Sequence, residues 1–72
     1  DVDAQFSIGM MYQLGEGVLA DLVTAYAWFA LAAKNGNADA DGKCPQLEEQ
    51  LSEEDVSKGK VRLSELVERY GM

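Results

Sequence analysis

Residues 4–40 read AQFSIGMMYQLGEGVLADLVTAYAWFALAAKNGNADA, and this stretch decides the fold. Small residues and aromatics recur in it at spacings of three and four, on both sides of the segment Gly15-Glu16-Gly17. That spacing is typical of an α-helix, and glycine commonly lies just past a helix C-terminus because it accepts a positive φ. The stretch therefore predicts a helix, a glycine turn and a second helix.

Capping residues predict where these helices begin and end. The first helix is predicted over residues 3–14, with Gly15 ending it. The Asp21 carboxylate can accept the free amide hydrogens of the following helix and oppose the positive end of its dipole. The second helix is therefore predicted over residues 22–35. A phosphate-binding use of the GxG segment is disfavoured, because such a loop should follow a strand.

Glycine and aromatic residues indicate how the two helices pack. Gly9 lies inside the first helix, where glycine costs about 1 kcal/mol relative to alanine, so another group should approach it closely. Trp28 or Tyr26 could fill this notch. Aromatics at helical spacing in so apolar a segment are typical of a core rather than of a stacking platform for a ligand. Trp28 is expected to anchor the hairpin.

The second half of the chain begins with a partial repeat of the first. Asp39-Ala40 repeats Asp3-Ala4 after 36 residues, which is the period of a helical-hairpin repeat. The similarity then stops. Pro45 is expected to kink or restart the helix, because its ring blocks the bond to the Asp41 carbonyl, and a short helix is predicted over residues 45–51. Ser52 and the acidic residues after it predict a final helix over residues 53–70, ended by Gly71. The same acidic residues lack the alternating ligands of a calcium loop.

The pattern resembles a Sel1-like repeat, whose signature holds small residues, a tyrosine, a GxGV turn, an aspartate, a tryptophan and an alanine pair. Those places are held here by Ala4, Ile8, Gly9, Tyr12, Gly15, Gly17, Val18, Asp21, Ala25, Trp28, Ala32, Ala33, Gly36 and Ala40. The resemblance implies an all-α fold, an antiparallel helix pair of an α/α superhelix in which neighbouring pairs stack. It assigns residues 3–38 to one repeat and residues 39–72 to a partial repeat with C-terminal capping helices.

Composition and charge narrow the classes of function. A net charge of −7 argues against nucleic acid, which is bound by clustered lysine and arginine, and favours basic or neutral partners. No apolar stretch approaches the ~20 residues of a membrane span. The chain has no histidine and a single cysteine, Cys44, so a zinc site, an internal disulfide and a thiol nucleophile with a histidine base are disfavoured. We expect no cofactor, no metal and no enzyme activity.

Protein interaction is the function that the resemblance implies, in adaptors and scaffolds, including bacterial ones. Methionine and phenylalanine suit a groove that adapts to a helix or an extended peptide. The candidate partner-binding residues share one side of the first helix: Phe6, Met10, Gln13 and Leu14. That side is not used by three residues that recur every four positions: Ala4, Ile8 and Tyr12.

Two alternatives stay open at this point. The candidate residues could instead contact a preceding repeat, and the whole segment could be a structural cap of a solenoid whose other repeats bind the partner. The sequence begins with Asp1-Val2-Asp3 rather than methionine, so we expect a fragment of a longer protein. Its N-terminal face would then lack a covering repeat, and the fragment is expected to self-associate through it.

Overall fold

The computed structural model describes residues 1–70 and shows four α-helices in that range. They are α1 (Val2–Leu14), α2 (Leu22–Lys34), α3 (Ala38–Gln50) and α4 (Glu53–Tyr70). The all-α class is therefore confirmed. Gly71, which was expected to end the last helix, lies outside the described residues. None of the helices within residues 1–70 is both long and apolar enough to cross a bilayer.

The turn between α1 and α2 forms as its glycines predict. Gly15 has φ 72° and Gly17 has φ 77°, both in the left-handed region that residues with a Cβ rarely adopt. The Gly15 amide donates to the Met11 carbonyl and so closes the last turn of α1. The chain then reverses, and α2 runs back along α1.

Helix α2 lies at the centre of the fold, because α1, α3 and α4 all pack against it. Its alanines allow this close packing, and three large side chains in the core are fully buried: Phe29, Leu31 and Leu47. Tyr26 is also buried, and its hydroxyl donates to the Glu48 carboxylate of α3 at 2.7 Å. On the other side of α2, Leu66 of α4 joins a cluster with Ala27 and Leu31.

Phe29, not Trp28, anchors the helix hairpin, so the expectation for Trp28 was wrong. Phe29 has no exposed surface, and a Cβ placed on Gly9 would lie 2.7 Å from its ring. The notch at Gly9 is real, but neither Trp28 nor Tyr26 fills it. Consecutive residues of a helix point about 100° apart, so only one of Trp28 and Phe29 can face α1 directly. Trp28 is half-buried and packs toward α4 instead.

Helix α3 begins at Ala38, so the prediction of a short helix starting at Pro45 was also wrong. The Asn37 side chain accepts from the Ala40 amide at 2.8 Å and caps the helix there. Ala40 and Leu47 lie seven residues apart on the buried side and hold both ends of α3 on the core. Pro45 and Asp41 are exposed, so water can satisfy the Asp41 carbonyl that the proline leaves without an amide donor.

Asp21 caps α2, as predicted. Its carboxylate accepts from the Val23 amide at 3.1 Å, from the Thr24 amide at 3.2 Å and from the Thr24 hydroxyl at 2.7 Å. The Thr24 hydroxyl and these amides, together with nearby Arg62, hold the pKa of Asp21 below its ordinary value of 3.8 even though partial burial opposes them. The ionised carboxylate is thus the form that the folded chain stabilises.

We expect Asp21→Ala to cost about 1–2 kcal/mol, the usual contribution of such a cap. Because the folded-state pKa is lowered, the cap stabilises the fold above the unfolded pKa and loses this contribution as the pH falls through the folded pKa. Urea unfolding of both proteins at neutral pH and at acidic pH measures the difference. A gap in unfolding free energy that stays constant on acidification would contradict the assignment; Glu16→Ala, in the preceding turn, is the control.

Candidate functional site

The predicted partner-binding residues lie on α1, and the hydrogen bond from Lys43 to Gln13 joins that helix to α3 in one surface. We call this surface the α1/α3 face and define it by Phe6, Met10, Gln13 and Leu14 of α1 and Lys43 of α3. Both helices pack on α2, and side chains of both belong to or pack against the core cluster that contains Phe29.

Two of the predicted residues are shared between this surface and the core. The Phe6 and Phe29 rings lie with centroids 5.4 Å apart at an interplanar angle of 50°, a favourable tilted arrangement. Phe6 and Met10 are half-buried and pack against the cluster that contains Phe29. Their remaining exposed surface is part of the apolar area of the α1/α3 face.

The other two predicted residues are more accessible. Gln13 is half-buried, and its Oε1 accepts from Lys43 Nζ at 3.3 Å. Leu14 is 59% exposed, which makes it one of the large apolar side chains most open to solvent within residues 1–70. Of the four residues, Leu14 can therefore be changed with the least damage to the core.

Lys43 also belongs to the surface, although it is not among the residues predicted from the sequence. Besides its bond to Gln13, its Nζ lies 5.7 Å from the centroid of the Phe29 ring, within the range of a cation–π contact. The expectation that helix formation starts only at Pro45 removed Lys43 from any helix. The 36-residue repeat period predicts a helix that starts at Ala38, 36 residues after the start of α1 at Val2, and Lys43 lies within that helix.

The side of α1 that carries Ala4, Ile8 and Tyr12 is only partly buried. Ala4 is exposed, and Ile8 and Tyr12 are half-buried, whereas the side of α1 that faces the core runs through the buried Gly9. The glycine sets this orientation, because the helix approaches α2 most closely where a side chain is missing. Ile8 instead lines a shallow surface depression next to Trp28.

Cys44 lies in α3, next to Lys43 of this surface. Cys44 is half-buried, and burial raises the pKa of its thiol, with smaller contributions from Glu48 and Asp41. A thiol held in its neutral form is a poor nucleophile. Among residues 1–70, no three histidine, cysteine or carboxylate side chains are grouped to hold a metal ion.

A comparison with protein-family models adds an independent observation. The model described as the Sel1 repeat matches residues 2–37, which is half of the 72-residue chain. The matched segment contains α1, the glycine turn and α2, and it ends at Asn37, the residue that caps α3. A comparison with curated proteins found no match.

Proposed function

Because this chain belongs to the Sel1 repeat family, whose repeats generally mediate protein–protein interaction, we propose that its α1/α3 face binds a segment of another protein. The observation that carries the proposal is the combination of apolar and polar side chains on one surface. Phe6 and Met10 are partly exposed there, Gln13 and Lys43 supply polar groups, and Leu14 is an exposed apolar side chain.

The charge of the chain supports a neutral or basic partner. The net charge of −7 attracts a positively charged segment and repels nucleic acid and acidic proteins at a distance. A methionine and a leucine beside a fixed aromatic pair can adjust to different apolar side chains, which suits an extended peptide or one face of a helix. The chain would then act without catalysis, as part of an adaptor or scaffold.

Leu14→Glu tests the proposal with little risk to the fold. The added charge should remove the partner that co-purifies with the full-length parent protein, because an unpaired carboxylate would be buried under the bound segment. Leu19→Glu is the matched control, since Leu19 is 91% exposed in the turn and outside the α1/α3 face. Circular dichroism checks that both variants remain folded, and quantitative mass spectrometry measures the partner.

A second candidate function is suggested by α4. This helix packs on α2, and its exposed charged residues pair along the helix, Glu54 with Lys58 at 3.6 Å and Arg62 with Glu65 at 3.3 Å. Terminal units of solenoids need such a polar outer face. Residues 39–72 would then be a partial repeat and a cap, and a partner retained by Leu14→Glu and Leu19→Glu alike would favour this role over binding.

Self-association through the exposed side of α1 also stays a prediction.

A further inference from the structure

Trp28 of α2 and Tyr70 of α4 form an aromatic pair outside the α1/α3 face. Their ring centroids are 5.5 Å apart at an interplanar angle of 46°. Trp28 is half-buried and Tyr70 is 56% exposed, so both rings keep surface open to solvent. Large aromatics that are exposed together are more often found at binding sites than singly exposed ones.

The pair separates two neighbouring depressions. The larger, of about 440 Å³, extends toward Arg62 and Arg69 of α4, and its floor includes the buried Thr24. The smaller, of about 250 Å³, extends along α1 to Ala4 and Ile8. The larger one falls within the usual range of roughly 300–1,000 Å³ for ligand sites. An extended chain that crosses the aromatic pair would enter both.

The charge around the larger depression differs from that of the whole chain. Two of the six basic residues line it, against a single carboxylate, Glu65. Arg62 is engaged by Glu65 at 3.3 Å and lies 3.4 Å from the Thr24 hydroxyl. Arg69 is exposed and forms no ion pair with any group of residues 1–70.

We propose that these depressions bind the C-terminal end of a polypeptide that finishes in bulky apolar residues. Arg69 would bind the terminal carboxylate, because the guanidinium fork matches a carboxylate with two parallel hydrogen bonds. Trp28 and Tyr70 would pack against the last apolar side chain, and the depression beside Ile8 would hold the one before it. The proposed ligand carries only one carboxylate, at its C-terminus. A protein of net charge −7 would repel a ligand with many acidic groups.

This inference goes beyond the proposed function, because it concerns a different surface and a different chemical group of the partner. Leu14→Glu, which disrupts the α1/α3 face, should leave this binding unchanged. Failure of one proposal is thereby distinguished from failure of the other.

Trp28 is the only tryptophan of the chain, so its fluorescence reports directly on this site. The probe is an acetylated peptide of sequence GSALF with a free C-terminal carboxylate, titrated into the protein, and the same peptide with an amidated C-terminus is the reference. We expect a saturable change in fluorescence with the free carboxylate below about 1 mM, and binding at least about tenfold weaker for the amide.

Arg69→Gln should reduce the affinity for the free peptide to that of the amide. Lys60→Gln removes a positive charge from an exposed position of the same helix, outside both depressions, and should bind like the wild type. Equal affinity for the two peptides, equal weakening by both substitutions, or no saturable change would overturn the proposal. So would a tryptophan signal that shifts with protein concentration alone, since a second copy of the chain would then occupy the site.

Discussion

Phe29→Ala is expected to leave the chain largely unfolded, at a cost of about 3–5 kcal/mol. Phe29 is fully buried, and its ring contacts helices on both sides: Phe6 and Gly9 of α1, and Lys43 of α3. Truncation would open a cavity between α1 and α3 that three separate elements border. A core in a chain this small rarely supplies more than about 3–5 kcal/mol, so the loss is comparable to the whole stability.

Thermal unfolding followed by circular dichroism measures this effect, with two variants for comparison. Leu19→Ala, at a position that is 91% exposed, should change the unfolding free energy by less than about 0.5 kcal/mol. Trp28→Ala should fall between the two, because Trp28 is only half-buried. If Trp28→Ala destabilised the chain more than Phe29→Ala, the tryptophan would be the anchor after all, as its place in the repeat signature suggested.

Local signals in the sequence predicted the glycine turn and the N-terminal caps of α2 and α4 correctly. Gly15 and Gly17 adopt positive φ, Asp21 caps α2, and the Ser52 hydroxyl accepts from the Asp55 amide at 3.1 Å to cap α4. Each of these features depends on residues fewer than five positions apart. Short-range chemistry of this kind is determined by neighbouring side chains and changes little with the packing around it.

The choice between Trp28 and Phe29 could not be made in the same way. Both are large aromatics on one helix. Which of them faces α1 depends on where α1 has room for a ring, and that depends on how the two helices pack together. The error at Pro45 has a related cause. A proline costs a helix about 3 kcal/mol in isolation, but Asn37, Ala40 and Leu47 together hold α3 in place across it.

The spacing along α1 predicted which residues of the candidate site share one side of that helix, but not how that side packs against the rest of the fold. The four residues of α1 share a side, as their spacing required, yet Phe6 and Met10 also belong to the core. Charging these two residues would therefore confuse a loss of binding with a loss of folding. Lys43 was missed because it enters the α1/α3 face only once α3 extends back to Ala38. Contacts across 30 residues of sequence, such as Lys43 with Gln13, require the tertiary fold.

Gly9→Ala is expected to destabilise the chain by about 1–3 kcal/mol, the usual effect of overpacking a core. In an isolated helix the same change would stabilise by up to about 1 kcal/mol, because alanine is the better helix former. Here the new Cβ would lie 2.7 Å from two carbon atoms of the Phe29 ring, a distance that real structures essentially never show. The ring is fully buried and packed against Phe6, so it cannot move aside without disturbing α1.

Gly42→Ala provides a matched control within the same chain. Gly42 lies inside α3 and is exposed, and a Cβ at that position would meet no atom within 4 Å. It should therefore stabilise the fold by up to about 1 kcal/mol, so that urea unfolding displaces the two variants in opposite directions from the wild type. A Gly9→Ala protein as stable as Gly42→Ala would show that α1 and α2 are not in contact through this glycine. The opposite signs would establish that close helix approach, rather than helix propensity, is the reason for a glycine at position 9.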